Sequence, residues 1–211
     1  MLRRIHIQGY KSLHDLELEL GPFCVLFGPN AAGKSNFLDA LQLLSRIVQS
    51  RTLKDAFARP YRGTPLESFS FPENGLKGLL AKETSRLSFE VDVELSPRTV
   101  EKVDRLVREM KRTKTVREDH ESYLDSGKSQ YVRECFLRYR IELEIAPRSG
   151  ILRVVDEHLA ALTQKGEPKS TRNPFLEKVK GKLHLRMEKQ SHPAYHDLYL
   201  PLILKVSDTG I

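Results

Sequence analysis

The sequence predicts an α/β fold: a strand–loop–helix core with an antiparallel β layer on one side and a helical and β-hairpin insertion. Three observations point there. Period-two alternation opens the chain, an apolar run passes through a glycine-rich turn into an uninterrupted helical pattern, and alternating strands return after residue 85. With 211 residues, 39% hydrophobic and 30% charged, the chain can build a sizeable core and is too apolar to be disordered.

Leu2, Ile5 and Ile7 form a first strand-like run ahead of a turn at Gly9, and Leu16, Leu18 and Leu20 alternate with Glu17 and Glu19 up to Gly21-Pro22. That pairing predicts two antiparallel strands. Phe23-Cys24-Val25-Leu26-Phe27 is apolar throughout, the composition of a strand buried on both faces. Asn36–Gln49 then repeats Phe37, Leu38, Leu41, Leu44 and Ile47-Val48 at helical spacing, uninterrupted by Gly or Pro. Six Pro and Gly residues between Pro60 and Gly78 predict an irregular excursion over 51–82 with short helices at most. Leu87–Leu95 alternates as a strand, and Pro97 opens a helix to about Lys114 with Val100, Val103, Val107 and Met110 on one face. Those four apolar positions span under three heptads, so a helix packed on its own domain is preferred to a coiled-coil stub. Tyr139–Ile145 and Ile151–Val155 flank Pro147-Arg148-Ser149-Gly150 as a hairpin. Residues 163–174 read as a mobile basic linker, Phe175–Arg186 as a short amphipathic segment, and Leu198–Val206 as a last strand.

The longest apolar stretches fall far short of the ~20 residues that span a bilayer, and no apolar segment follows Arg3 and Arg4 as in a secretory signal. Cys24 and Cys135 lie far apart with no C-x-x-C spacing, which predicts two reduced thiols and a cytoplasmic protein. Lys and Arg number 35 against 28 Asp and Glu, a formal charge of +7. Between Thr163 and Gln190 eight basic residues (Lys165, Lys169, Arg172, Lys178, Lys180, Lys182, Arg186, Lys189) face three acidic ones. Such a stretch either lies solvated on a loop and helix face or attracts a polyanion, with DNA as the candidate partner.

Gly28-Pro29-Asn30-Ala31-Ala32-Gly33-Lys34-Ser35 fits G-x-x-x-x-G-K-[ST], the phosphate-binding P-loop. Its glycines let consecutive backbone N–H groups converge on a polyphosphate. The following helix adds its positive dipole end and unpaired amides. Lys34 would stabilise the β- and γ-phosphates, and the Ser35 hydroxyl is a hard oxygen ligand for Mg²⁺.

The longer run through Asn36, preceded by Tyr10-Lys11-Ser12, resembles the RecF/SMC/OLD branch of ABC-type P-loop ATPases, closely over residues 1–50 and loosely from 85 to 160. The β-rich middle is most similar to bacterial AAA-type ATPases related to OLD proteins. The resemblance implies that ATP lies along Gly28, Pro29, Asn30, Ala31, Ala32, Gly33, Lys34, Ser35 and Asn36, with Arg3, Arg4 and Lys11 at the ribose, adenine or α-phosphate. It implies a homodimer of heads bridged by ATP, a Mg²⁺ ion, and an associated nuclease or toxin subunit as a partner.

Hydrolysis needs more than a P-loop, and the family adds a Walker B strand ending in Asp-Glu. Asp156 and Glu157 close Ile151–Glu157 and are the candidates. Arg153 and the hairpin turn before them argue for a β-rich arm instead, leaving Walker B beyond Ile211. Leu124–Gln130 vaguely resembles a signature loop. His192 and His196 are four apart, but Pro193 between them favours a surface turn over a metal site. The domain plan is therefore the N-terminal part of an ATPase head over 1–162, with an insertion at about 51–130, a linker over 163–174, and a segment over 175–211 that begins a continuing ATPase domain. The expected function is ATP hydrolysis coupled to DNA handling or effector control, including anti-phage defence. The alternative is a sensor that binds ATP without turning it over.

Overall fold

The computed structural model describes residues 1–115, 132–170, 173–179 and 182–185. Among these residues, seven strands form one antiparallel sheet in the order β2-β1-β3-β4-β5-β6-β7. They are β1 Leu2–Tyr10, β2 Leu13–Glu19, β3 Ser85–Glu94, β4 Phe136–Ala146, β5 Ile151–Ala161, β6 Leu176–Val179 and β7 Lys182–Leu185. The helices are α1 Lys34–Gln49, α2 Leu53–Ala56, α3 Gly75–Ala81 and α4 Pro97–Thr115. The mixed α/β class and the antiparallel layer are thus present.

Strand alternation divides the sheet into two chemically opposite faces. Ile5 and Ile7 of β1, Leu87, Phe89 and Val91 of β3, and Tyr139, Ile141 and Leu143 of β4 are all buried. They join one core with Phe37, Ala40, Leu43 and Leu44 of α1 and Val100, Val103 and Val107 of α4. The intervening residues are charged and paired across strands. Arg4 Nη1 donates to Glu90 at 2.6 Å and Arg4 Nε to Glu17 at 2.5 Å. Arg138 grips Asp92 bidentately at 2.6 and 2.7 Å, and Arg86 and Arg153 both bond Glu144. Cross-strand pairing of opposite charges fixes register on the polar face as apolar packing does on the other.

Several sequence expectations shift. The first hairpin turns at Lys11-Ser12, two residues beyond Gly9, which stays in β1 at φ +70°; a Cβ there would lie 2.3 Å from the Arg86 carbonyl oxygen. Phe175–Arg186 contains the hairpin β6–β7, with Glu177 opposite His184, where a short amphipathic segment was expected. The start of the predicted linker is a compact turn: Thr163 N donates to the Glu167 carbonyl and Lys169 N to the Ala161 carbonyl, extending the edge of β5. The largest departure concerns Phe23–Phe27, expected as a strand buried on both faces. It joins no ladder among the described residues, and Phe23 and Phe27 are 84% and 90% exposed. Composition marks a segment that wants burial, but a neighbouring strand must supply it, and among the described residues β2, the sheet edge nearest in sequence, pairs with β1 alone. Cys24 is accordingly exposed, and both cysteines are free thiols. The Leu124–Gln130, His192/His196 and Leu198–Val206 expectations lie outside the described residues.

Candidate nucleotide site at the head of helix α1

The P-loop is held between the β1–β2 turn and α1. Gly33 is the residue before the helix, at φ +88°, and a Cβ on it would meet Leu13 Cδ2 and Ser12 Oγ at 3.4 Å. Only glycine takes both that conformation and that approach without strain. Gly28 at φ +145° and Ala31 at φ +66° complete the reversal, with Ala32 N donating to the Pro29 carbonyl at 3.4 Å. Asn36 Nδ2 donates to Ser12 Oγ at 2.7 Å, tying the first turn of α1 to the β1–β2 turn.

The head of the 16-residue helix α1 is open to an anion. Its N-cap residue is Gly33, which has no side chain to cap it, and its first turn carries no acidic residue. Its amides and dipole are therefore directed at whatever occupies the loop. Lys34 Nζ donates to the carbonyl oxygens of Gly28 at 2.8 Å and Pro29 at 2.6 Å, so the ammonium is curled over the loop that it would share with a phosphate. Ser35 lies exposed beside it.

One turn further along α1, Asp39 organises a cluster that sequence reasoning missed. Lys11 Nζ donates to Asp39 Oδ2 at 2.7 Å and to the Arg62 carbonyl at 3.1 Å, and Arg62 Nη2 reaches the same carboxylate oxygen at 2.7 Å. Lys11 also lies 5.4 and 5.5 Å from the ring centroids of Tyr10 and Tyr61, whose hydroxyls bond each other at 2.7 Å. Burial alone would raise the Asp39 carboxyl, but the hydrogen bonds from Lys11 and Arg62 outweigh it and hold the group below the usual carboxylate range. Burial and the Tyr61 hydroxyl push the Tyr10 phenol far above its ordinary value. The i,i+4 spacing of Ser35 and Asp39 sets those two on one helix face, but no spacing signals that Lys11 and Arg62 meet Asp39.

The other expected site residues are distributed differently. Arg3 donates to Glu94 at 2.6 Å, and Arg4 is engaged by Glu17 and Glu90 on the polar sheet face, so both are committed to β-sheet carboxylates. Lys11 is the member of that trio adjacent to the loop. Asp156 and Glu157 lie on β5, the second arm of an antiparallel hairpin, where neighbouring side chains point to opposite faces. Glu157 accepts a hydrogen bond from Tyr139 at 2.8 Å. The row Ile7–Phe89–Ile141–Glu157 puts it three strands from β1, about 14 Å at the usual strand spacing. β5 is thus an antiparallel strand, the arrangement expected where the pair belongs to a β-rich arm and not the parallel strand a Walker B motif ends.

A glycine-framed loop before a helix head, with lysine and serine at its end, has the form of the phosphate-binding loop of P-loop ATPases. Residues 23–118 match the family described as "AAA domain, putative AbiEii toxin, Type IV TA system". The chain is 41% identical over 44 residues to an OLD nuclease of Thermus scotoductus and 40% identical over 55 residues to the DNA replication and repair protein RecF of Crocosphaera subtropica. Those stretches cover 21% and 26% of this chain but only 8% and 14% of the two relatives. A solved structure reported under "Structural biochemistry of ATP-driven dimerization and DNA stimulated activation of SMC ATPases" superposes over 81% of this chain and 72% of that one. Its TM-score is 0.39 at 12% identity, a likeness that carries no argument. The sequence matches thus give a P-loop ATPase domain hit and partial homology to the OLD nuclease and RecF.

Proposed function

We propose that residues 28–36 bind ATP and that the protein hydrolyses it as a head-to-head dimer. The observation that carries this reading is the uncapped head of α1 behind the Gly28–Ser35 loop, with Lys34 poised on it. On arrival of the β- and γ-phosphates, Lys34 exchanges two neutral carbonyl acceptors for anionic oxygens, and charge-assisted bonds are the stronger ones. The loop amides and the first turn of α1 supply the remaining donors. Mg²⁺, when bound, neutralises charge on the phosphates, and the exposed Ser35 hydroxyl is of the oxygen type it takes. Asn36 and Ser12 hold the loop's exit, and the Lys11–Asp39–Arg62 cluster anchors α1 beneath it.

The work coupled to this cycle is DNA handling or control of an associated nuclease or toxin, as in the relatives' names, and the protein acts in the cytoplasm. Among the described residues, no helix is long and apolar enough to cross a membrane. The test is calorimetry with ATP on the wild type and Lys34→Ala, then turnover across a range of protein concentrations. The expected results are a loss of affinity of at least tenfold in the variant and second-order dependence of turnover on protein. Undiminished uptake by Lys34→Ala overturns the site. Tight binding without turnover at any concentration supports the sensor reading instead.

A further inference from the structure

The sheet ends in two strands that are paired on one side only. Among the described residues, β2 at one edge pairs with β1 alone, and β7 at the other pairs with β6 alone. Each outer side presents backbone N–H and C=O groups with no ladder among those residues, a template for adding a strand. The two edges also carry opposite charge.

β2 reads Leu-His-Asp-Leu-Glu-Leu-Glu and β7 reads Lys-Leu-His-Leu. Both alternate, and the ladders fix which face each residue takes. Asp15, Glu17 and Glu19 stand opposite Gln8, His6 and Arg4 on the polar face of the sheet. Leu16 and Leu18 stand opposite the buried Ile7 and Ile5 on the core face. At the other edge, Leu176 of β6 belongs to the core, so Glu177 and Val179 take the polar face. Their partners His184 and Lys182 lie there too, whereas Leu183, opposite Lys178 and 52% exposed, takes the core face. The acids of β2 retain capacity for a further cation. His6 and Gln8 engage only Oδ1 of Asp15, Arg4 engages only Oε1 of Glu17, and the two side chains are 69% and 56% exposed.

Like edges do not suit each other. Two β2 edges related by a twofold axis would set acids against acids, and two β7 edges would set bases against bases, both destabilising in a ladder. Unlike edges match. Every step from β2 to β7 is antiparallel and the steps number six, so the two edge strands run in the same direction. A second copy in the same orientation therefore brings its β2 parallel to β7 with both polar faces on one side. Centring the four residues of β7 on the seven of β2 places Lys182 beside Asp15, Leu183 beside Leu16 and His184 beside Glu17.

From these placements we infer that β7 of one copy docks on β2 of a second copy and continues the sheet from molecule to molecule. The contact is heterologous, so it extends to a series of copies and does not close at a dimer. It uses no residue of the Gly28–Asn36 loop, so it is distinct from an ATP-bridged pair of heads and forms without nucleotide.

The test is sedimentation velocity over a range of protein concentrations, without nucleotide, on the wild type and on Lys34→Ala. Both are expected to grow beyond a dimer at about 50 mM NaCl and to dissociate at about 500 mM, where exposed charges are screened. Asp15→Lys and Lys182→Glu each set like charges at the contact, and each is expected to weaken association about fivefold. Val179, the partner of Lys182 on β6, is uncharged, so that substitution leaves the β6–β7 hairpin without a new repulsion. Mixed in equal amounts, the two variants should recover wild-type association, because the exchanged charges again oppose each other. Circular dichroism checks that each variant is folded, and recovery on mixing excludes misfolding as the cause of the loss. A wild type that stays monomeric at every concentration overturns the inference. So does a series that stops at the dimer, which would assign an isologous contact, or growth that Lys34→Ala abolishes, which would assign the nucleotide site. Folded variants that fail to recover association on mixing overturn it equally.

Discussion

Replacing Asp39 by Asn tests whether α1 is anchored electrostatically beneath the P-loop. The side chains of Lys11 and Asp39 are only 14% and 13% exposed, whereas Arg62 is 63% exposed. The substitution removes the charge that Lys11 and Arg62 share and leaves the Lys11 ammonium, enclosed by two tyrosine rings, with neutral acceptors in its place, the new amide oxygen and the Arg62 carbonyl. A hydrogen bond to a charged group contributes about 1.5–3 kcal/mol, and the exposed Arg62 adds little. The expected loss is therefore about 2 kcal/mol, roughly 1 M in the urea midpoint for an m-value near 2 kcal/mol/M. Lys11→Met should lose less, because Asp39 keeps Arg62. The double variant should be more stable than the sum of the two losses predicts, by about 1 kcal/mol or more, since it strands no enclosed charge. Urea unfolding followed by circular dichroism, with m checked for constancy, measures all three. An Asp39→Asn midpoint equal to wild type, or strict additivity in the cycle, refutes the anchoring argument.

Other outcomes follow from single contacts. Gly33→Ala puts a Cβ at φ +88° against Leu13 and Ser12, and it is expected to lower stability by about 1–2 kcal/mol and weaken ATP binding together; calorimetry showing unchanged affinity would contradict it. Tyr139→Phe removes the donor to Glu157 and is expected to destabilise by about 1 kcal/mol without altering nucleotide affinity, which would not hold if Glu157 served the site. For Glu90, burial raises the carboxyl, but Arg4 and Arg138 lower it further, so like Asp39 it ionises below its unfolded value of about 4. The unfolded chain then takes up protons first, so this stabilisation is full above about pH 5 and is lost as pH falls through the folded values. Urea midpoints that stay level from pH 6 to pH 3 would contradict the depressed carboxyls.

How much of this was legible beforehand depends on whether a feature is local. The P-loop, helix α1, helix α4 and strand β3 announce themselves, because 3.6- and 2-residue periodicities are set by the residues that show them. Hairpin β4–β5 was legible from its turn, although its open end runs on to Phe136 and Ala161, beyond the alternating core. The hairpin β6–β7 was not, since four-residue strands carry too few alternations to separate from a short amphipathic segment. In the site, loop residues 28–36 were readable as a motif. The Lys11–Asp39–Arg62 cluster joins positions 11, 39 and 62, and no spacing rule relates a turn, a helix and an excursion that only folding brings together. The same limit explains Arg4: its chemistry is visible in the sequence, but not that Glu17 and Glu90 flank it on either side.

The segment Phe23–Phe27 joins these two kinds of legibility. Its composition correctly identifies residues whose burial is favourable, and at about 1.5–3 kcal/mol each, fully covering Phe23, Val25, Leu26 and Phe27 is worth at most roughly 6–12 kcal/mol. The segment leads directly into Gly28, so whatever restrains it also restrains the loop amides that face a phosphate. Loop geometry is held from the far side by Ser12, Leu13 and Asn36, and from the near side by an apolar stretch with no ladder partner among the described residues. Preorganised donors bind more tightly than donors that must first be ordered. Any strand that pairs with Phe23–Phe27 should therefore raise both stability and ATP affinity, coupling the phosphate grip to sheet assembly. Amide exchange at residues 23–27 reads that coupling. Protection that rises with ATP links the two, whereas exchange indifferent to ATP means that the loop is already set from the helix side alone.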